Sequence, residues 1–212
     1  MSKTFLKSTA IIASSILAAK ASLAGDVKLF ASGGLLHSND NYVMKKSNGT
    51  EASHSSTNFI KNFGINLSGG AQYSINKYLY VNGEVFGQYR NASASVISSD
   101  TKGKANFNSR YRLGALARLG VNVNDKSSVY LGAGASYAPL TMTQYGEDSG
   151  SEEQKLISPL LVLGMATDIT SSLQGYVDFQ ISSSLNSRFR ANAVNVRHDN
   201  RSLVLGVRKF FN

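Results

Sequence analysis

The sequence predicts an all-β chain, an eight-stranded antiparallel up-and-down transmembrane β-barrel with short periplasmic turns and four long extracellular loops. Three observations predict it. Residues 58–74 place Phe59, Phe63, Ile65, Leu67, Gly69, Ala71 and Tyr73 on one parity, with Asn62, Gly64, Asn66, Ser68, Gly70, Gln72 and Ser74 on the other. Alternation of period two sustained over that length gives a strand with one apolar and one polar face. The same two-faced pattern recurs along the chain, and the connections between its copies alternate between tight and long. That is the pattern of strands crossing hydrocarbon around a polar interior, with turns on one side of the membrane and loops on the other.

At the start, Lys3 and Lys7 precede an apolar stretch over residues 10–19, and Ser22 and Ala24 hold the small positions before a cleavage site. This is the form of a cleaved secretory signal peptide over residues 1–24, with Ala21 as a second cleavage position, and it leaves one barrel domain over 25–212. The rival, an uncleaved membrane helix, needs about 20 apolar residues. This stretch is shorter and is interrupted by Lys20.

Strand one is expected at 26–36 and strand two at 58–74. Strand three, 78–90, sets Leu79, Val81, Val85 and Tyr89 against Asn82, Glu84, Gln88 and Arg90. Strand four, 106–123, sets Phe107, Tyr111, Leu113, Ala115, Leu119 and Val121 against Asn108, Arg110, Arg112, Gly114, Arg118 and Asn122. Its charged face cannot meet lipid. Strand five, 128–138, opposes Val129, Leu131, Ala133 and Tyr137 to Gly132, Gly134 and Ser136; strand six, 156–169, is apolar on both faces, so its parity is open. Strand seven, 173–182, opposes Val177, Phe179 and Ile181 to Gln174, Asp178 and Gln180, and strand eight, 201–211, opposes Leu203, Leu205 and Val207 to Gly206 and Arg208. Polar turns around Asn76 and Lys77, at 124–127 and at 170–172 belong on the periplasmic side. Connections 37–57, 91–105, 139–155 and 183–200, rich in Ser, Asn, Gly and charge, project outward. Strand eight must close on strand one, because hydrocarbon does not tolerate an unpaired edge.

The chain has nineteen glycines, two prolines and no cysteine, which excludes a lipoprotein cysteine and a disulfide framework. Its net charge of +9 includes the signal-peptide lysines, and much of the rest lies in strand interiors and one loop. No basic and aromatic constellation suggests nucleic-acid binding. The main structural rival, a soluble lipocalin-like barrel, would turn the polar faces outward. Strand length argues against it, since soluble strands run to about five or six residues. So do two expected aromatic girdles, Tyr73, Tyr78, Tyr80 and Phe211 below and Tyr89, Phe107, Tyr111 and Tyr137 above.

The chain ends Leu205-Gly206-Val207-Arg208-Lys209-Phe210-Phe211, a glycine followed five residues later by an aromatic. This is similar to the final-strand signal of the small OmpA/OmpX-like outer-membrane β-barrels, with their adhesin and opacity-type, porin-like relatives, which the whole mature chain resembles. The resemblance implies recognition of Gly206 and Phe211 by the barrel assembly machinery. It also implies a monomer in the bacterial outer membrane, among its lipids and lipopolysaccharide. Lys209 stands where the family usually has an apolar or aromatic residue, and the chain runs on to Asn212. Assembly efficiency is what these departures put in question, unless Lys209 snorkels to the interface. The barrel alone is expected, without the peptidoglycan-binding domain of larger relatives.

Facing inward, Glu84, Arg112, Arg118, Asp178 and Arg208 must pair, because an unpaired buried ion costs several kcal/mol. The expected contacts are Glu84 with Arg112 and Arg118, and Asp178 with Arg208, on neighbouring strands. A packing plug is the plain reading of that network; a gate or proton path is the functional one. For catalysis only His37, His54 and His198 come into view, with no metal spacing. The stretch His37-Ser38-Asn39 resembles poorly the histidine and serine pair of lipid A deacylases. Adjacent side chains at a strand end point apart. No cofactor is expected. The fourth loop carries Arg188, Arg190, Arg197 and Arg201 beside His198, and the third carries Glu147, Asp148, Glu152 and Glu153. The basic set suits a lipopolysaccharide phosphate or a host-surface anionic ligand; alternatively the two loops neutralise one another. The expectation is a non-enzymatic surface protein serving envelope integrity or host adhesion and immune evasion through its loops. The alternatives are a lipid A-modifying enzyme or a small-solute pore.

Overall fold

The computed structural model describes residues 27–45, 51–55, 62–97, 104–145, 150–184, 187–189 and 194–211, with the backbone alone at several outer strand ends. The signal peptide and its cleavage site, and with them Glu147, Asp148 and Arg190, lie outside the described residues. Ten strand segments follow one another: β1 (Val27–Lys45), β2 (Glu51–Ser55), β3 (Phe63–Ser74), β4 (Leu79–Ile97), β5 (Lys104–Asn122), β6 (Ser127–Tyr145), β7 (Gly150–Thr170), β8 (Leu173–Ser183), β9 (Ser187–Phe189) and β10 (Val194–Phe211). Each of β1, β3, β4, β5, β6, β7, β8 and β10 pairs antiparallel with the next, and β1 closes on β10 from Leu29↔Phe211 to Lys45↔Asn195. The segments β2 and β9 pair only with the outer ends of β1 and β10. Eight staves therefore form a closed ring with no free edge inside the membrane.

The lipid-facing surface follows from the alternation. On β10, Leu203, Leu205, Val207 and Phe211 point outward, and the neighbouring Leu35 is among the exposed apolar side chains. Outward residues turn polar above this belt, at Asn39 and Asn41 on β1 and at Arg201, Asp199 and Arg197 on β10. Residues above the row formed by His37, Leu203 and Phe179 thus stand outside the hydrocarbon. Lys209 also faces out, and its Nζ donates 2.6 Å to Ser172 Oγ in the lower turn, which holds the charge at the interface. Bulky apolar groups outside and charges inside are the reverse of a soluble lipocalin-like barrel. Among the described residues no helix is long and apolar enough to cross a membrane; the crossing is made by strands.

The lower turns form where expected, each closed by its first polar side chain. Asn76 Oδ1 accepts from the amides of Tyr78 and Leu79 at 2.8 and 2.9 Å, and Asn124 Oδ1 from those of Lys126 and Ser127 at 2.9 and 2.8 Å. Thr170 Oγ1 does the same for Leu173 at 3.1 Å.

The outer side departs from the expectation. Much of 37–57, 91–105, 139–155 and 183–200 is strand and not loop, so the ladders run on above the lipid as hairpins. Above the belt both faces of a strand can be polar, and the alternation that marks a strand in sequence disappears.

Parity is also corrected at Phe107, Arg110 and Tyr80, and the parity left open for strand six is settled. Extra residues shift the register of β4 between Tyr89 and Ala92 and of β5 between Asn108 and Leu113. Such β-bulges exchange inside and outside along one strand. Phe107 therefore points inward and is buried, Arg110 points outward beside Tyr111, and Arg112 is inward again. Tyr80 belongs to the inward parity of Asn82 and Glu84, not to the lower girdle. The open parity of strand six is settled by β7, which exposes Ile157, Leu161, Leu163 and Met165 and buries Leu156, Leu160, Val162 and Ala166. Both of its faces are apolar because the lumen has an apolar storey there, with Leu36, Phe86, Leu116 and Val204.

Inward aromatics stand directly across from inward glycines. The pairs are Phe30↔Gly70, Tyr80↔Gly120, Phe86↔Gly114, Tyr130↔Gly164 and Tyr176↔Gly206. A Cβ at Gly164 would stand 2.4 Å from Tyr130 Cε2 and 2.6 Å from Asp178 Oδ1, and one at Gly206 2.7 Å from Tyr176 Cζ. Glycine is needed where the neighbouring ring lies flat over the backbone.

Candidate functional site

The lumen holds two polar storeys. In the lower one Arg118 of β5 lies between the carboxylates of two staves on opposite sides of the ring, Glu84 on β4 and Asp178 on β8. Its Nη1 donates to Glu84 Oε2, and its Nη2 lies 2.7 Å from Asp178 Oδ2. Tyr130 donates its hydroxyl to Asp178 Oδ1 at 2.5 Å, and its ring lies under the guanidinium at 5.2 Å. Arg208 Nη2 is 3.6 Å from Glu84 Oε2, while its Nη1 donates to Gln174 Oε1 at 3.2 Å. The guanidinium of Arg208 sits over Phe30 and Tyr176, at 4.5 and 5.3 Å. Two acids and two arginines balance, all four buried.

The structure thus brings Glu84, Arg118, Asp178 and Arg208 together: Glu84 meets Arg118 on the neighbouring strand, as the sequence suggested, but the other two expected contacts do not form. Asp178 reaches Arg118 and not Arg208, because the register Val204↔Asp178 and Arg208↔Gln174 sets the latter two four residues apart along the ladder. Arg112 does not meet Glu84. It lies six residues above Arg118, about 20 Å at about 3.3 Å per residue. Just above the network, Gln88 Nε2 donates to Gln180 Oε1 at 3.0 Å, β4 to β8, directly across the lumen.

In the upper storey Arg90 and Arg112 come from the expected inward faces of strands three and four, whereas Asp40, His198 and Asn200 lie in segments that read as loop. Asp40 Oδ1 accepts from Arg90 Nη1 at 2.8 Å and Asn200 Nδ2 at 2.9 Å, and lies 2.7 Å from His198 Nε2. Ser38 donates to Asp40 Oδ2 at 2.9 Å, and Arg112 Nη1 to Asn200 Oδ1 at 3.0 Å. The Tyr42 ring stacks between those of His198 and Phe107, at 4.6 and 5.3 Å. Asp40 and His198 stand above the lipid belt. Burial works against the Asp40 carboxylate, but Arg90 and the His198 contact hold it ionised, well below the usual carboxylate range. Burial also lowers the His198 pKa against the pull of Asp40, which keeps the ring neutral.

Of the catalytic alternatives, His37 faces outward, edge-on to Phe63 at 5.2 Å, while Ser38 faces inward to Asp40. The two side chains do not converge. His54 has only its backbone described. Among the described residues, no group of three His, Cys, Asp or Glu is placed to hold a metal.

Of the basic set, Arg190 lies outside the described residues and Arg188 has only its backbone described. Arg188 is in β9, opposite Asn195, and Arg197 and Arg201 lie outward on β10, two rows apart. Arg197 pairs with Asp199 of its own strand, at 3.0 Å. At the end of the chain Phe211 faces outward, whereas Gly206 lies inward under Tyr176.

No family model matches the chain, and no curated protein matches it. Several solved structures are similar to it. The attachment invasion locus protein Ail of Yersinia pestis is 17% identical, with a TM-score of 0.44, over 88% of this chain and 99% of that one. Neisserial surface protein A is 19% identical with a TM-score of 0.43, over 86% and 97%. The outer membrane protein OprG from Pseudomonas aeruginosa is 16% identical with a TM-score of 0.46, over 89% and 97%. It is the closed ring, the lipid-facing belt and the filled lumen, rather than these likenesses, that make this chain an eight-stave transmembrane β-barrel of the outer-membrane type.

Proposed function

We propose that the chain is a non-enzymatic surface barrel of a Gram-negative outer membrane, acting in envelope integrity or in host attachment and evasion of host defences. Its hairpins above the membrane do the work and its lumen does not. The observation that carries this reading is the bridge Glu84–Arg118–Asp178, which ties opposite staves together through the middle of the barrel. The interior of an eight-stranded barrel is just wide enough for side chains to fill. A solute could cross only by breaking buried ion pairs, so a general pore is disfavoured. The hairpins carry the outward Arg197 and, on β9, Arg188, which suit an anionic ligand at a host surface, with an attraction that salt screens.

The test displays the full protein on laboratory bacteria beside a version with the first and fourth hairpins shortened, and measures binding to host cells. Heat-shifted gel migration checks that both barrels are folded. Binding lost on shortening supports attachment; equal binding by both removes it and leaves envelope integrity. Stepwise conductance of the wild-type protein in a planar bilayer would overturn the filled-lumen reading.

A further inference from the structure

A groove of about 310 Å³ opens on the outside of the barrel across β1, β10 and β8. Its volume lies at the lower end of small-molecule sites, about 300–1,000 Å³. The ladder builds it from two rows: Asn39, Arg201 and Ile181, and above them Asn41, Asp199 and Ser183. The row below is His37, Leu203 and Phe179, the top of the lipid-facing belt. The groove therefore begins where hydrocarbon ends.

Its charges are not balanced. Asp199 is already engaged, with Ser183 Oγ donating to its Oδ1 at 2.5 Å and Arg197 Nε to its Oδ2 at 3.1 Å. Arg201 is exposed and has no ion-pair partner among the described residues. It is left as an uncompensated guanidinium, flanked by the Asn39 and Asn41 amides. A guanidinium takes phosphate in a two-pronged grip, and amides suit sugar hydroxyls.

We infer that this groove seats the phosphorylated sugar headgroup of an outer-leaflet glycolipid: Arg201 holds the phosphate and Asn39 and Asn41 the sugar, with the acyl chains against Leu203 and Phe179. A lipid is favoured over a soluble polyanion because the apolar row directly beneath continues the site into the hydrocarbon. Arg201 thereby leaves the host-facing basic set and becomes a membrane contact. The inference does not depend on what the hairpin tips bind, since it concerns the foot of β10.

The test purifies the full protein in detergent, adds bisphosphorylated lipid A, and counts retained lipid by native mass spectrometry. Arg201→Gln removes one charge-assisted contact and is expected to lower retention about tenfold. Lipid A stripped of its phosphates is expected to bind the wild-type protein as weakly as intact lipid A binds the variant. Lys77→Gln, which removes an exposed charge from the lower turn at the opposite rim, is expected to leave retention within about twofold. Heat-shifted migration confirms that each variant is folded. Equal retention by wild type and Arg201→Gln overturns the inference. So does release of lipid A by a soluble heparin fragment, at low concentration, from wild type and from the protein with trimmed hairpins alike, which would mark a soluble-polyanion site. Host-cell binding that survives Arg201→Gln, with lipid retention lost, separates this site from the attachment reading.

Discussion

Replacing Arg118 by leucine leaves the carboxylates of Glu84 and Asp178 facing each other across a buried lumen, with only Arg208 near either, 3.6 Å from Glu84. Removing one partner of a buried ion pair costs about 3–5 kcal/mol, because the charge left behind has lost its counterion and cannot return to water. With a urea slope of about 2 kcal/mol per molar, Arg118→Leu should unfold the barrel about 2 M earlier. The chain has no tryptophan, so the measurement is the fraction of heat-shifted, folded band against urea. The double variant Arg118→Leu, Asp178→Asn leaves one acid and one arginine, Glu84 and Arg208 at 3.6 Å, and should recover most of the loss. An unchanged midpoint in Arg118→Leu, or a double variant no better than the single one, would refute the claim that the lumen is held by charge compensation.

Three further outcomes are expected. Gly164→Ala and Gly206→Ala should each cost about 1–3 kcal/mol by overpacking, and Gly164→Ala more, because its methyl meets both Tyr130 and Asp178; the same urea series reads both. His198 is held neutral in the fold, below its ordinary 6.5, while the unfolded chain takes a proton there. The stabilisation is thus present above about pH 6.5 and lost as the pH falls below it. Asp40 stays ionised throughout that window. Amide exchange over residues 38–42 and 196–200 should therefore speed up at pH 5 beyond its intrinsic rate, and His198→Gln should flatten the difference. Phe211→Ala should lower the folded yield in cells while leaving the urea midpoint of refolded protein within about 0.5 kcal/mol, since its ring faces outward at the lower rim; an unchanged yield would remove it from assembly.

The membrane-embedded part of the fold was legible because hydrocarbon enforces alternation. Ile65 and Leu67, Leu119 and Val121, and Leu203 and Leu205 can only be strand faces turned to lipid, and Asn76, Asn124 and Thr170 punctuate the turns. The inward charges were legible for the same reason, since Glu84, Arg118, Asp178 and Arg208 cannot face lipid. The Glu84–Arg118 pair between neighbouring strands was legible too, but the reach of Arg118 to Asp178 was not, because side chains crossing a lumen join staves that adjacency in sequence does not relate. Arg90 was legible as inward, but its partners Asp40, His198 and Asn200 were not, because above the belt polar residues on both faces erase the period. Phe107 and Tyr80 were misplaced because an aromatic on a strand suits lipid or lumen equally; a bulge decides the first and parity with Glu84 the second.

The pairing of inward rings with glycines also bears on how such a barrel finds its one correct alignment. Sliding a strand by one residue turns its apolar face inward and is rejected at once. Sliding by two preserves the faces, so solvent cannot tell right from wrong. The rings can: a two-residue slip would set Tyr80 against Arg118 or Asn122, and Phe86 against Arg112 or Leu116, where the space now left by Gly120 and Gly114 is gone. Five such keys, cut at different heights around the ring, make the native alignment the one in which all of them turn together.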